Sequence, residues 1–301
     1  MNISLIDVDG HNFPNLALMK VSAWHKLNGD CVDWYNPLFD DPDKIYASKV
    51  FTFSPDAYIA NSHPEPIKGG TGYRIYSDLP DEIDSMQPDY SIYPQYQFSI
   101  GFLSRGCIRN CPWCVVPKKE GKLKKYSDIE KVAQGRKNVV LMDNNFLAND
   151  FEFVKEQLEK SVKLGLYIDF NQGLDARLVT PENARLLEKC KWKAYTGNNG
   201  YIRFSCDTQS MLKPLKDAVK TLREAGYHKD IFVYVLCMEL EESLDRIKKI
   251  TEIDKKIKPY VMPYRNLDGD GEVANPELLR LRRWCNLESI RKSCSFEEYK
   301  G

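Results

Sequence analysis

Two hydrophobic rhythms alternate along most of the chain. From Gln97 onward, short apolar runs of strand length are each followed by a segment with helical spacing, and this happens six times. Phe98 to Leu103 leads through a cysteine-bearing loop to a helix expected to open at Ser127, with Glu130 completing a capping box. Asn138 to Met142 precedes a helix over Phe151 to Leu164 that Gly165 closes, and Tyr167 to Asn171 precedes one capped by Thr180 with Pro181 at its first position. Tyr201 to Cys206 precedes Met211 to Ala225, Ile231 to Met238 precedes Glu242 to Ile253, and Pro259 to Met262 precedes Pro276 to Trp284. Six such units predict an α/β fold: a six-unit (β/α) partial TIM-type barrel, with functional residues at the C-terminal ends of its strands.

The first 95 residues keep a different rhythm. A strand over Ile3 to Asp7, a helix over Asn15 to Lys26 ended by Asn28-Gly29, and strands over Cys31 to Tyr35 and Lys49 to Phe53 begin a small Rossmann-like wound sheet. Ser54 to Pro94 is rich in Pro, Gly and Tyr, and reads as a long ordered connection. The expected organisation is a reduced wound domain over 1–95, the barrel over 96–270 and a helical extension over 271–301.

Charge supports this division. The 301 residues carry 43 basic and 43 acidic side chains, yet residues 1–95 hold 6 basic against 14 acidic, leaving 37 against 29 for the rest. No apolar run reaches the roughly 18 residues of a membrane span, and the acidic N-terminus lacks a signal peptide's basic flank. A cytoplasmic protein with no membrane partner is expected.

Nine cysteines in such a chain argue for metal or thiol chemistry over a disulfide framework. Cys31, Cys190, Cys206, Cys237, Cys285 and Cys294 are scattered and read as small buried hydrophobes, with Cys285 and Cys294 the pair to watch for a second metal site. Cys107, Cys111 and Cys114 instead crowd into eight residues as C-x3-C-x2-C. Three thiolates at this spacing can hold three irons of a cubane cluster and leave the fourth iron open, whereas zinc asks for a fourth ligand and no histidine lies nearby in sequence.

That spacing, with Trp113 just before the last cysteine and the whole motif after the first barrel strand, resembles the radical S-adenosylmethionine (SAM) superfamily over about residues 96 to 270. The resemblance implies a [4Fe-4S] cluster on Cys107, Cys111 and Cys114, SAM on the open iron, and a one-electron reductant such as a flavodoxin or ferredoxin. It further implies homolytic cleavage of SAM to a 5'-deoxyadenosyl radical that acts on a substrate the sequence does not identify. The alternatives are a cobalamin-dependent methyltransferase on the same barrel and a non-catalytic metal-binding interaction protein.

Strand alternation turns Asp169 and Asn171, then Arg203 and Ser205, toward the barrel interior, with Gln172 at the strand tip. Inward polar residues are costly unless they bind something. By carry-over from the family, Asp143-Asn144-Asn145 at the second-strand tip, with Asn144 and Asn145 as the expected contacts, stands where a Gly-Gly-Glu-like segment helps hold the SAM amino group, a departure from that pattern that keeps hydrogen-bonding capacity. Arg203, Ser205 and Arg177 would meet its carboxylate and ribose. The competing reading is an internal Asp169–Arg203 salt bridge.

The N-terminal segment resembles a reduced cobalamin-binding-type domain, with Gly69-Gly70-Thr71-Gly72 and Pro88-Asp89-Tyr90 as the connection. The D-x-H-x-x-G pattern is absent, which by itself does not exclude cobalamin; the short helical complement weighs more, because the corrin is large, so cobalamin is not the favoured cofactor and His11 reads as a turn residue. Lys118, Lys119, Lys122, Lys124 and Lys125 follow the cysteines, and Arg280, Arg282, Arg283, Arg291 and Lys292 lie near the C-terminus. The preferred reading is a solvated face. The functional version is an anionic substrate; nucleic acid is disfavoured, because no aromatics interleave the lysines for base stacking.

Overall fold

A computed structural model describes residues 1–197, 200–266, 271–273 and 275–301. The fold is mixed α/β with parallel sheets, and the chain divides into two compact units. The first unit is Met1–Gln97 with the described part of Leu267–Glu272; the second is Phe98–Asn266 with Val273–Gly301. The expected boundary at residue 270 lies outside the described residues.

The first unit is built on β1 (Asn2–Asp7), β2 (Cys31–Trp34), β3 (Lys44–Ser48) and β4 (Ile67–Gly69), all parallel in the order β2-β1-β3-β4. Helix α1 (Leu16–Leu27) connects β1 to β2, with Asn15 Oδ1 accepting from the Leu18 amide as its cap. One face of β1 and β3 buries Ile6, Ile45 and Ala47 against Val8, Tyr35, Ile59 and Tyr73. The short helix α2 (Asp81–Asp84) lies in the connection toward the second unit.

Two expectations for this unit need correction. The third strand is Lys44–Ser48, not Lys49 to Phe53, because the Asp9 carboxylate accepts the Val50 and Phe51 amides and the Ser54 hydroxyl and turns the chain there. A fourth strand, β4, lies within the stretch expected to be a connection. It pairs with β3 through residues such as Lys68 and Gly69 that carry no hydrophobic alternation.

The second unit begins with β5 (Phe98–Gly101), and the two-residue strands β6 (Ser104–Arg105) and β7 (Lys124–Lys125) enclose helix α3 (Val116–Lys119). Helix α4 (Ile129–Ala133), β8 (Asn138–Leu141), α5 (Phe151–Lys163), β9 (Tyr167–Phe170), α6 (Pro181–Lys189) and β10 (Lys191–Trp192) follow. Strands β5, β8, β9 and β10 form one parallel sheet. Then come β11 (Ile202–Ser205), α7 (Leu212–Glu224), β12 (Ile231–Cys237), α8 (Leu240–Ile253) and β13 (Ile257–Pro263), with β11-β12-β13 as a second parallel sheet. A parallel bridge between Leu174 and Phe204 joins the two sheets.

Alternation places the core of this unit. On β12, Ile231, Val233, Val235 and Cys237 are fully buried, while Phe232, Tyr234 and Leu236 face the other side. Helix α9 (Pro276–Asn286) adds Leu278, Leu281 and Cys285 to the same core, and the Asn286 amide hydrogen-bonds both backbone groups of Val261. The last helix, α10 (Glu288–Ser293), follows directly.

The α4 cap differs from expectation. Ser127 gives its backbone N–H to Leu103, so Asp128 caps the helix by accepting from the Glu130 amide, and no Ser127–Glu130 capping box forms. The capping box of α6 is present: Thr180 and Asn183 exchange side-chain to backbone hydrogen bonds.

Candidate metal centre

The three clustered cysteines sit on an excursion, residues 106–123, whose two ends are tied together. Strands β6 and β7 pair antiparallel at its base, and Arg105 Nε meets Glu120 Oε2 at 2.6 Å across it. The Arg105 guanidinium lies 5.4 Å from the Phe102 ring centroid and 5.2 Å from that of Tyr126. Gly106 turns the chain into the loop at φ +83°, and a Cβ there would stand 2.3 Å from the Lys122 carbonyl oxygen, so only glycine fits.

The tip of β8 anchors the entry to this loop. Asp143 is buried and accepts from the Leu103 amide at 3.0 Å and from the Ser104 amide and hydroxyl at 2.6 and 2.8 Å. Burial pushes its carboxyl up to about 6 in spite of these donors. Asn144 Oδ1 accepts the Gly106 amide at 2.9 Å. Asn145 reaches the first cysteine: its Nδ2 lies 3.4 Å from both Cys107 Sγ and Asp175 Oδ2. Its Oδ1 is buried without a hydrogen-bond partner, and the residue is 3% exposed.

The turn after β9 supplies the charged groups. Asp175 forms a fork with Arg177, Nε to Oδ1 at 2.6 Å and Nη2 to Oδ2 at 3.0 Å, and Arg109 Nε from the cysteine loop adds a bond at 3.1 Å. Burial acts to raise the Asp175 carboxyl, but the hydrogen bonds and charge of Arg177, with the charge of Arg109, outweigh it and hold the carboxyl below its ordinary value.

The tip of β11 approaches from another side. Asp207 accepts the Leu236 amide at 3.2 Å and a bond from Ser205, and burial raises its carboxyl. Burial also raises the Cys111 and Cys114 thiols. At Cys111 the Arg177 charge opposes that rise while Cys107 and Asp207 add to it; at Cys114 the Val116 amide opposes it while Cys111, Cys107 and Asp207 add to it. The thiols and the two strand-tip charges therefore lie within reach of one another's fields.

Of the residues expected to bind SAM, Asn144, Asn145 and Arg177 come together around the cysteine loop. Ser205 is engaged with Asp207. Gln172 is exposed, its amide 4.0 Å from Met142 Sδ. Arg203 is buried in a bidentate pair with Asp169, Nε to Oδ1 and Nη2 to Oδ2 both at 2.8 Å, as the competing reading had it. Sequence reasoning did not single out Arg109, Asp175 or Asp207 as site residues, and it placed Asp143 only within the second-strand tip segment, without its role in holding the loop entry. Arg109 lies inside the cysteine motif and Asp175 two residues before Arg177, so both were within reach of a closer reading.

All nine cysteines are free; Cys190, Cys206, Cys237 and Cys285 are buried as expected, whereas Cys31 is exposed and Cys294 half-buried. Among the described residues no three Cys, His, Asp or Glu side chains gather as a ligand group, at Cys107, Cys111 and Cys114 or at Cys285 and Cys294. The C-terminal basic group is partly structural: Arg280 stacks 3.9 Å from the Phe296 ring centroid and Arg291 bonds the Cys285 carbonyl. In the first unit a cavity of about 310 Å³ lies over Ile6, Ala47, Ile59 and Tyr73, with Glu65 and Lys68 at its edge, and none of the cysteines lines it. No helix among the described residues is long and apolar enough to cross a membrane. No protein-family model matches the chain, and no curated protein matches it.

Proposed function

We propose that the second unit is a six-stranded partial barrel that works as a radical SAM enzyme, with Cys107, Cys111 and Cys114 as ligands of a [4Fe-4S] cluster. The observation that carries the reading is the pairing of three free thiols on one tethered loop with the buried, unpartnered Asn145 Oδ1 beside Cys107. A buried carbonyl without a donor is expensive, and a ligand ammonium at this tip would satisfy it. The donor set suits an iron–sulfur cluster with one open iron: three soft sulfurs, none committed to a disulfide. Strand order supports this reading: β5, β8 and β9 lie side by side in one parallel sheet and β11, β12 and β13 in another, the Leu174–Phe204 bridge links the two, and the loops after β8, β9 and β11 carry the site.

Bound there, the cluster with SAM would supply one-electron cleavage of the sulfonium and a primary carbon radical able to take a hydrogen atom from substrate. The chain's own residues do the holding. Asn145 donates to Cys107 Sγ through Nδ2 and offers Oδ1 as an acceptor, while the Arg109 amide donates to the same sulfur at 3.3 Å. Arg177 places positive charge near Cys111, which favours its thiolate. Arg203 fixes the interior through Asp169.

The test is anaerobic reconstitution with iron and sulfide, reduction by dithionite in the presence of SAM, and assay for 5'-deoxyadenosine, beside a Cys111→Ala control. Product from the wild type alone supports the proposal. A chain that takes up no cluster, or whose cluster never cleaves SAM, overturns it in favour of a binding protein.

A further inference from the structure

The geometry points to Asp175 as a positioning residue that latches the middle of the cysteine loop in the metal-free chain, acting through Arg109. What the latch is for rests on the reading of the three thiols as metal ligands. The latch itself does not.

Arg109 lies two residues after Cys107 and two before Cys111, so whatever holds its side chain holds the loop between the first two thiols. What holds it is 66 residues away in sequence, at the turn after β9. The Asp175 carboxylate is itself fixed in place: it accepts the Arg177 amide at 3.1 Å and both ends of the Arg177 fork. Its side chain is 5% exposed, against 34% for Arg109 and 33% for Arg177. A solvent-exposed ion pair does little to fix a loop. Here the acceptor is shielded, and a shielded carboxylate that loses a donor must find another, which favours the bonded loop path. Asn145 Nδ2 spans the same two groups, touching Asp175 and Cys107. The β6–β7 ladder closes the ends of the excursion, and the Asp175 bond ties its middle to a different strand tip. Arg177 is thereby engaged through two of its nitrogens before any ligand arrives.

The experiment uses the metal-free full-length chain, with variants Asp175→Asn, Arg109→Gln and the double variant. Each is pulsed with iodoacetamide and the modified cysteines are mapped by mass spectrometry. Cys31, exposed in the other unit, is the reference for intrinsic rate, and the buried Cys206, Cys237 and Cys285 report on the fold. The two single variants separate latch from charge. Removing the Asp175 negative charge favours thiolate and Arg109→Gln disfavours it, so the field alone changes the two alkylation rates in opposite directions. Release of the loop raises both.

The expected result is a rise of about fivefold or more at Cys107 and Cys111 in both single variants, the equivalent of about 1 kcal/mol of loop opening. The double variant should add little, and the buried cysteines should stay unmodified. Opposite changes in the two variants, no change in either, or a rise shared by Cys206, Cys237 and Cys285 would overturn the inference. Iron uptake on reconstitution is the second readout and should fall in both single variants. If the wild type itself takes up no iron, the proposed function fails while the alkylation comparison still decides the latch.

Discussion

The Asp169–Arg203 pair gives the sharpest energetic prediction. Its carboxylate is 1% exposed and its guanidinium 7%, joined by two parallel bonds of 2.8 Å. The Tyr195 amide adds a third donor to Asp169 at 3.2 Å, and the guanidinium lies 5.2 Å from the Phe232 ring centroid. Arg203→Met would leave a buried carboxylate with one amide donor, at a cost of about 3–5 kcal/mol. Replacing both, as Arg203→Met with Asp169→Leu, removes the stranded charge, so the double variant should recover to within about 1–2 kcal/mol of the wild type. Hydrogen exchange read by mass spectrometry on peptides covering β9 and β11 measures the opening free energy where the pair sits. A single variant less than about 1 kcal/mol below wild type, or a double variant as unstable as the single one, would refute the view that the pair is a shielded cross-strand clasp. It would put Arg203 back among the residues held ready for a ligand.

Three further outcomes follow from the same geometry. The Asp143 carboxyl, ordinarily at 3.8, is raised to about 6 by burial, so the folded chain binds a proton more tightly than the unfolded one. The contribution of this carboxyl to stability is full at low pH and falls by about 3 kcal/mol as pH rises from about 4 through 6, with no further loss above; denaturant titrations across this range should show the slope, and Asp143→Asn should reduce it by that amount, leaving the share of Asp7, which burial also raises to about 6. Gly106→Ala places a Cβ 2.3 Å from the Lys122 carbonyl oxygen at φ +83°, so it should open the cysteine loop by more than about 1 kcal/mol and lower iron uptake, while hydrogen exchange in β12 stays at the wild-type rate. Thr180→Ala removes a reciprocal cap and should lower protection of α6 by about 1 kcal/mol.

The regular part of the fold was legible because its signals are local. Hydrophobic periodicity, Thr180-Pro181 at a helix start and Gly165 after a helix end lie within a few residues of what they specify, and those elements stand close to where they were expected. The departures are non-local. β3 ends at Ser48 because Asp9, some 40 residues earlier, turns the following chain. β4 pairs through residues without hydrophobic alternation, and Ser127 is drawn from its cap by the Leu103 carbonyl in the bend between β5 and β6. The cysteine loop announced itself by spacing, but its supports did not. Asp143, Asp175 and Glu120 are ordinary acidic residues in sequence, and only their partners at Ser104, Arg109 and Arg105 give them a role.

The inward polar residues show where such reading stops and why. An ionic side chain turned into a strand-lined interior has two ways to be satisfied, a partner on another strand or a ligand, and both leave the same alternation in the sequence. Asp169 and Arg203 are 34 residues apart and lie on strands of two different sheets, so only the tertiary fold, with its Leu174–Phe204 bridge between those sheets, brings them together. Once paired, their bonding is spent within the chain, and the polar interior they announced no longer points to a ligand. Asn145 is the opposite case. Its Nδ2 is engaged and its Oδ1 is buried with nothing to accept from, so its hydrogen-bonding demand is unmet inside the chain. Among polar residues around the cysteines, an unmet demand next to a reactive group is the better guide to a binding site than polarity itself, and on that ground Asn145, already expected at the SAM amino group, carries the proposal while Arg203 does not.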